Sequence, residues 1–229
     1  MLFELHIPKT GGTSLFSVLS AAVAPGLSHV AMSEQELRER TTGYALLGGH
    51  FTWDALDIFP EPPRVLTVLR DPVELALSAY GYWRAQADKG IFGPAAQAAA
   101  DDALARSIDE LLLDPQSRMR SNLGTMMFYL AGKHEAAAGR GLEAALRHLE
   151  SCSWVGTTST LDRDIQVLPA MFGFQPISEA PHLLATPDRP QRADMSSEAL
   201  SALDRLTESD RVLYDRACAI AEEQQRRYS

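Results

Sequence analysis

A lysine, two glycines and three hydroxyl-bearing residues are concentrated in the stretch HIPKTGGTS, residues 6–14. The apolar segment before it predicts a buried strand over residues 2–7, and apolar residues at helical spacing predict a helix over residues 13–24. Glycines let backbone N–H groups turn towards one point, and the positive end of the following helix dipole lies there too. The stretch is therefore predicted to bind an anion.

A second cation, Arg70, directly follows a predicted strand over residues 64–69. Ser78 comes about two turns into the helix predicted to follow, so a guanidinium and a hydroxyl can converge on a second phosphate. Parallel strands end at the same edge of a sheet, which predicts that the two cations lie together. The alternatives are a salt bridge from Arg70 to Asp71 or Glu74, and a role for Ser78 as an ordinary helix-surface hydroxyl.

One histidine, His50, comes just beyond a third predicted strand over residues 44–48. It is predicted to lie on the side of a parallel sheet where ligands bind. A neutral imidazole there can take the proton from an acceptor hydroxyl, which is general-base chemistry. The alternative is a structural histidine that caps the next helix. His6, within the first predicted strand, is interpreted as structural.

Strands alternate with helices along the whole chain. Ser33 and Glu36 predict a capping box at the start of a short helix that ends at residue 40. Residues 154–156 predict a late strand, and residues 207–227 predict a terminal helix. This alternation predicts an α/β fold: a single P-loop-like domain over residues 1–229, with a central parallel sheet flanked by helices. Residues 85–106, rich in Ala, Asp and Gly, are predicted to be an insertion or a mobile lid outside the core.

Composition limits the classes of function. A net charge of -9 over 229 residues disfavours nucleic acid or another polyanion as the main partner. No apolar run approaches the roughly 18 residues of a membrane span, and the first predicted strand leaves no room for a signal peptide. Cys152 and Cys218 fit no metal spacing. We expect a cytoplasmic protein, and the sequence carries no indication of its oligomeric state.

The nearest generic phosphate motif, the Walker A loop, is not matched. Here the lysine precedes the glycines, and no later predicted strand ends in an acidic residue suited to magnesium. A P-loop nucleotide kinase is therefore the disfavoured rival among enzymes. A catalytically inactive nucleotide-binding protein would keep Lys9 and Arg70 but would not need His50.

The segments HIPKTGGTS and VLRDPVELALSAY together resemble the paired signature of sulfotransferases that use 3′-phosphoadenosine 5′-phosphosulfate (PAPS). The similarity is to the branch that includes heparan sulfate 2-O-sulfotransferase and bacterial relatives. Weaker similarity through WVGTTSTLDRDIQVLPAMFGF and HLLATPDRPQR extends it over most of the chain. The resemblance implies PAPS as the cofactor and 3′-phosphoadenosine 5′-phosphate as the product left behind.

The resemblance also assigns residues. It places the following on the sulfate side of the cofactor: Lys9, Thr10, Gly11, Gly12, Thr13 and Ser14. It places Arg70 and Ser78 on the 3′-phosphate, and Thr186 and Arg189 in a loop that closes over the nucleotide. A lysine beside the leaving oxygen also stabilises the charge that develops there, so Lys9 is expected to be catalytic. The branch has a His-x-His pair whose second member is the base; here Gly48 stands at the first position, which leaves His50 alone.

The expected reaction is in-line transfer of a sulfuryl group from PAPS to a hydroxyl, with no obligatory metal. The acceptor is expected to be small and neutral or weakly charged, because a polyanion needs a basic track. The chain has 30 acidic and 21 basic residues, and its densest cation pairs are Arg118 with Arg120 and Arg226 with Arg227. The predicted lid over residues 85–106 would partly cover the acceptor.

Overall fold

The computed structural model describes residues 1–90, 93–121, 123–177 and 189–229. Its strands are β1 (Leu2–Leu5), β2 (Ser28–Val30), β3 (Leu46–Gly49), β4 (Arg64–Leu69) and β5 (Trp154–Thr157). Its α-helices are α1 (Gly12–Ala22), α2 (Glu34–Glu39), α3 (Pro72–Gln86), α4 (Pro94–Ala105), α5 (Ile108–Leu113), α6 (Arg118–Ser121), α7 (Thr125–Ala131), α8 (Lys133–Ala137), α9 (Gly141–Ser151), α10 (Leu161–Asp164), α11 (Leu168–Phe172), α12 (Ser197–Leu206) and α13 (Glu208–Tyr228). Short 3-10 helices cover Trp53–Ile58, Ala87–Lys89, Thr158–Thr160, Ile165–Val167 and Arg192–Asp194.

The described strands form a five-stranded sheet in the order β2-β3-β1-β4-β5. Every pairing is parallel, and Leu2 of β1 lies opposite Leu46 of β3 on one side and Arg64 of β4 on the other. The segments that follow β1, β3 and β4 therefore leave the sheet at the same edge. The predicted α/β fold with a central parallel sheet is confirmed.

Local chemistry sets several element boundaries. The Asp71 side chain accepts hydrogen bonds from the backbone N–H groups of Val73 and Glu74, and Pro72 begins α3, as predicted. Ser33 caps α2, but the expected capping box is only half formed, because the Glu36 carboxylate accepts from the backbone of Met32 instead.

The predicted strand over residues 64–69 is found with the same bounds, and the other predicted elements differ by a few residues at their ends. The first predicted strand stops at Leu5, before the HIPKTGG loop, and its helix begins at Gly12. Strand β2 was not predicted, because it is a three-residue edge strand whose side chains are half-buried or exposed and carry no apolar alternation.

The chain divides into two compact units, and the first contains the sheet. It comprises residues 1–70, 126–177 and 212–229 of the described chain. Its buried core lies on the sheet and on the helices that follow β1 and β5, and consists of Leu2, Leu15, Val18, Leu19, Leu46, Leu66, Val68, Trp154, Leu161, Ile165, Val167 and Leu168.

The second unit is helical and comprises residues 71–125 and 189–211 of the described chain. Its core is formed by Val73, Ala76, Leu77, Tyr80, Ala103, Ile108, Leu111, Leu112, Met119, Met195, Ala199 and Leu203. The prediction of a single domain stays a prediction. No helix in the described ranges is long and apolar enough to cross a membrane.

The segment over residues 85–106 is not outside the core. It contains α4, and Ala99, Ala100 and Ala103 of this helix are almost fully buried. The expectation of an excursion away from the core is therefore wrong for these residues, because small alanines pack against α3 as closely as larger apolar residues would. That the segment moves as a lid stays a prediction.

Candidate functional site

The loop between β1 and α1 has an unusual backbone. Lys9 has a φ of 66° and Gly11 a φ of 101°, both in the left-handed region. The Thr10 hydroxyl donates to the Ile7 carbonyl at 2.8 Å, and the amides of Ser14 and Leu15 donate to the Gly11 carbonyl. These bonds turn the chain sharply enough for α1 to begin at the loop, with its N-terminal amides at the carboxyl edge of the sheet.

The second glycine of the loop is needed for a different reason. Gly12 is helical, but a Cβ atom there would lie 2.4 Å from both Glu4 Oε1 and His6 Cδ2. The start of α1 is thus packed directly against two ionisable side chains of β1 and its loop. Thr13 beside it is half-buried, Ser14 is buried, and the buried Thr10 hydroxyl donates within the loop.

Lys9 and Arg70 are brought together, as predicted. Arg70 Nη1 donates to the Lys9 carbonyl at 3.0 Å, so the end of β4 holds the loop after β1. Partial burial, and then the nearby Arg70 guanidinium, lower the pKa of Lys9 from its ordinary value. Two half-buried cations side by side make a position that an anion would stabilise.

His50 follows β3 and has one ring nitrogen engaged. Its exposed ring lies 2.9 Å, through Nδ1, from the His6 carbonyl oxygen. A carbonyl only accepts, so Nδ1 carries the proton and Nε2 of the neutral ring keeps a lone pair. The next helix, Trp53–Ile58, has Thr52 at its N-cap position. His50 therefore does not cap that helix, and its Nε2 has the form that a general base requires.

The space beside Gly48 is filled from the neighbouring strand. Gly48 lies opposite Glu4, and a Cβ atom at position 48 would lie 2.8 Å from Glu4 Oε2 and 2.9 Å from the Phe16 ring. A histidine at this position would require Glu4 or Phe16 to move. A buried acid thus occupies the space that a side chain at position 48 would need.

The remaining predicted site residues belong to the second unit or lie outside the described ranges. Ser78 is buried within α3, with 4% of its surface exposed. Arg189 forms an ion pair with Glu74 at 2.7 Å, and Thr186 lies outside the described residues. Asp71 binds Arg211 at 2.7 Å. The assignments of Ser78, Thr186 and Arg189 to a nucleotide stay predictions.

Sequence reasoning missed a contact from β5 to the loop. The Thr158 hydroxyl lies against the Thr10 carbonyl and 3.2 Å from the Leu69 carbonyl. Its single proton can serve either acceptor, so Thr158 ties the loop after β1 to the end of β4. The sequence offered only a run of hydroxyl residues, TTST, after a predicted strand.

No protein-family model and no curated protein matches this chain. Within the described residues, no group of three or more His, Cys, Asp or Glu side chains is arranged to hold a metal ion. The geometry at the ends of β1, β3 and β4 is therefore the basis for a functional proposal.

Proposed function

We propose that the chain is a sulfotransferase that transfers a sulfuryl group from PAPS to the hydroxyl of a small acceptor. One observation carries the proposal: a pair of contacting cations and a histidine whose Nδ1 is bound to a carbonyl follow three adjacent parallel strands. The cations suit the anionic groups of PAPS, Lys9 the phosphosulfate and Arg70 the 3′-phosphate, and the histidine suits removal of a hydroxyl proton. The resemblance of the two loop sequences to sulfotransferases supports the same interpretation.

The residues present fit the cofactor. Lys9, the N-terminal amides of α1 and the Arg70 guanidinium supply positive charge and N–H donors, which anionic oxygens need. The chain's net charge of -9 makes this local concentration of cations more significant, because a general surface attraction for anions is not expected.

The chemistry needs charge stabilisation and a base. Bound PAPS supplies the sulfuryl group and leaves as the bisphosphate. Lys9 stabilises negative charge on the leaving oxygen. His50 Nε2 accepts the acceptor's proton while the Nδ1–H bond to the His6 carbonyl holds the ring in place.

Two rivals make different predictions. A P-loop kinase would bind ATP with magnesium, and an inactive nucleotide-binding protein would bind the bisphosphate without turnover. Calorimetry with 3′-phosphoadenosine 5′-phosphate and with magnesium ATP distinguishes a kinase from a sulfotransferase. We expect binding of the first ligand only. Tight binding of magnesium ATP alone would overturn the proposal.

Substitution of Arg70 and substitution of Lys9 should have different effects. Arg70→Ala should weaken binding of the bisphosphate by roughly 2–4 kcal/mol, because a charge-assisted contact is lost. Lys9→Ala should mainly slow transfer from bound cofactor. Lys133→Ala and Arg38→Ala, exposed cations of the same unit, are matched controls and should change neither quantity. Full affinity in the Arg70 variant would contradict its assignment.

His50→Ala should lower turnover by roughly two to four orders of magnitude while affinity for the bisphosphate is retained. His134→Ala is the control, because His134 is exposed on α8 in the same unit. Turnover in the His50 variant within a few-fold of wild type would place the base elsewhere.

The acceptor is proposed to be a small, neutral or weakly charged hydroxyl compound in the cytoplasm. Mass spectrometry over a panel of alcohols, phenols and sugars identifies it by the mass gain of one sulfuryl group. Heparin-like polymers should be neither substrates nor inhibitors at physiological salt. Efficient sulfation of such a polymer, with steep loss of activity as salt rises, would refute this acceptor class.

A further inference from the structure

A carboxyl group is buried at the centre of the sheet, directly behind the candidate site. Glu4 lies in β1 between Gly48 of β3 and Leu66 of β4, and only 1% of it is exposed. Its two oxygens occupy space left by two glycines: a Cβ atom at Gly12 would lie 2.4 Å from Oε1, and one at Gly48 would lie 2.8 Å from Oε2. The fold therefore leaves room for this acid at two positions.

The surroundings of Glu4 suit an acid and not a carboxylate. Oε2 is buried without a hydrogen-bond partner among the described residues, and lies 3.5 Å from His6 Nδ1. An ionised carboxylate in such a place would need several donors or a cation. Burial raises the pKa of Glu4 well above its ordinary value, and burial with the nearby His50 and Lys9 lowers the pKa of His6 to about 3.

The ionisable groups that face the pair are few. The loop after β1 presents Lys9, with Arg70 behind it, and the segment after β3 presents His50. Helix α1 and strand β3 contain no ionisable residue, and β4 presents Leu66 at this level. The pair therefore faces cations and a histidine, and within the described ranges His6 is the group placed to accept a proton from Oε2.

We propose that Glu4 is a buried carboxylic acid whose proton is directed at Nδ1 of His6, so that His6 is fixed as a neutral ring with its proton on Nε2 and positions His50. Glu4 and His6 act through His50 and are positioning residues. The kinetic part of this inference rests on the proposed function, whereas the protonation part does not.

His6 holds His50 in two ways. Its carbonyl accepts the Nδ1–H bond at 2.9 Å, and the two rings pack with their centroids 4.4 Å apart and their planes at 50°. A His6 ring in another orientation would remove the surface on which His50 packs. A charged His6 would also add a positive charge beside His50 and Lys9, and so oppose the proton that His50 must accept. A neutral, fixed His6 avoids both effects.

The decisive measurement is long-range ¹H–¹⁵N NMR of the histidine rings of the whole protein. We expect His6 to show an unprotonated Nδ1 and a protonated Nε2, unchanged from about pH 5 to about pH 8. A doubly protonated His6 in this range, or a proton on Nδ1, would overturn the inference. The measurement needs no acceptor or turnover, so its failure and the failure of the proposed function are distinguishable.

Two variants separate positioning from packing. In Glu4→Gln the amide N–H can donate to His6 Nδ1, whereas Glu4→Met fills a similar volume without a donor. We expect the Gln variant to keep the His6 tautomer and most of the turnover. The Met variant should lose the defined tautomer and roughly ten- to hundred-fold in turnover, with unchanged affinity for the bisphosphate.

Glu223→Met, an exposed change on α13, is the control and should alter neither the tautomer nor turnover. Equal behaviour of the Gln and Met variants at position 4 would show that Glu4 only fills space. If the Met variant does not fold, the tautomer in the wild-type protein still decides the question.

Discussion

Two carboxyl groups of the first unit are equally buried, at 1% exposure each, yet their surroundings are opposite. Asp164, beyond β5, accepts from the Thr157 amide at 3.0 Å, the Thr160 hydroxyl at 2.7 Å and the Arg163 guanidinium at 3.0 Å. Glu4, in β1, has a buried oxygen with no donor among the described residues. Burial alone therefore says little about the role of a carboxyl group, because that role also depends on the hydrogen-bond donors around it.

The backbone differs between the same two regions. The turn after β5 passes into α10 through a network of side-chain hydrogen bonds around Asp164. The loop after β1 instead holds Lys9, a residue with a side chain, in the left-handed region. A buried acid that receives no hydrogen bond at Oε2 from the described residues and a strained lysine thus lie in the region that also holds the candidate site, whereas the Asp164 carboxylate accepts several hydrogen bonds. Costs of this kind persist where the local arrangement has a use other than stability.

The largest effect is expected at the satisfied acid. Asp164→Ala should lower the free energy of unfolding by roughly 2–4 kcal/mol, because it leaves the buried Thr157 amide and the Thr160 hydroxyl without their acceptor. The Arg163 side chain is exposed, so water replaces Asp164 as its partner. Urea denaturation measures the loss of stability, with Glu223→Ala, an exposed change on α13, as the control. A loss no greater than that of the control would mean that the hydrogen bonds around Asp164 contribute little.

Glu4→Gln should raise the free energy of unfolding at neutral pH, whereas Asp164→Ala lowers it. In the unfolded chain Glu4 ionises near the ordinary glutamate pKa of 4.5, while burial raises its pKa in the folded protein, so the folded state binds more protons above about pH 4.5. Wild-type stability from this group is therefore present at low pH and lost as pH rises. The Gln variant lacks that loss, and its advantage should grow by up to about 1.4 kcal/mol for each pH unit.

The measurement is the difference in unfolding free energy between Glu4→Gln and wild type from acid to neutral pH. His6 titrates in the other direction, because its folded pKa is lowered from 6.5 to about 3 and it destabilises the protein as pH falls through that window. Both proteins keep His6, so its contribution largely cancels from the difference. A difference that is flat with pH would show that Glu4 is ionised in the folded protein.

The sequence predicted what depends on short-range pattern. The apolar strand before HIPKTGG, the Asp71-Pro72 start of α3 and the parallel arrangement that brings Lys9 beside Arg70 all follow from local chemistry and chain direction. The tautomer of His50 could not be predicted, because its bond to the His6 carbonyl depends on how β3 pairs with β1.

The buried position of Glu4 could not be predicted for the same reason, because it also depends on strand pairing. An acid within the strand LFEL was the only signal, and an alternating strand with one solvated face would have explained it equally well. Only the register that places Glu4 opposite Gly48, and the packing of Gly12 against it, shows that the carboxyl is enclosed. The contacts of Thr158 likewise join segments whose pairing the sequence does not specify.

The smallest effect is expected from the strain at Lys9. An L-residue in the left-handed region is less stable there than glycine by roughly 1 kcal/mol, since its Cβ crowds the following carbonyl. Lys9→Ala and Lys9→Gly both remove the ammonium, but only the second removes the Cβ. In urea denaturation without ligand, Lys9→Gly should be the more stable of the two, by less than about 1 kcal/mol, because the freedom that glycine gains in the unfolded chain offsets part of the difference. Both should lose sulfuryl transfer to a similar extent, because both lack the ammonium. The stability of the loop and its function would then depend on different parts of Lys9. If Lys9→Ala is as stable as Lys9→Gly, the Cβ atom at position 9 does not destabilise the folded protein, and the left-handed φ is not a source of strain.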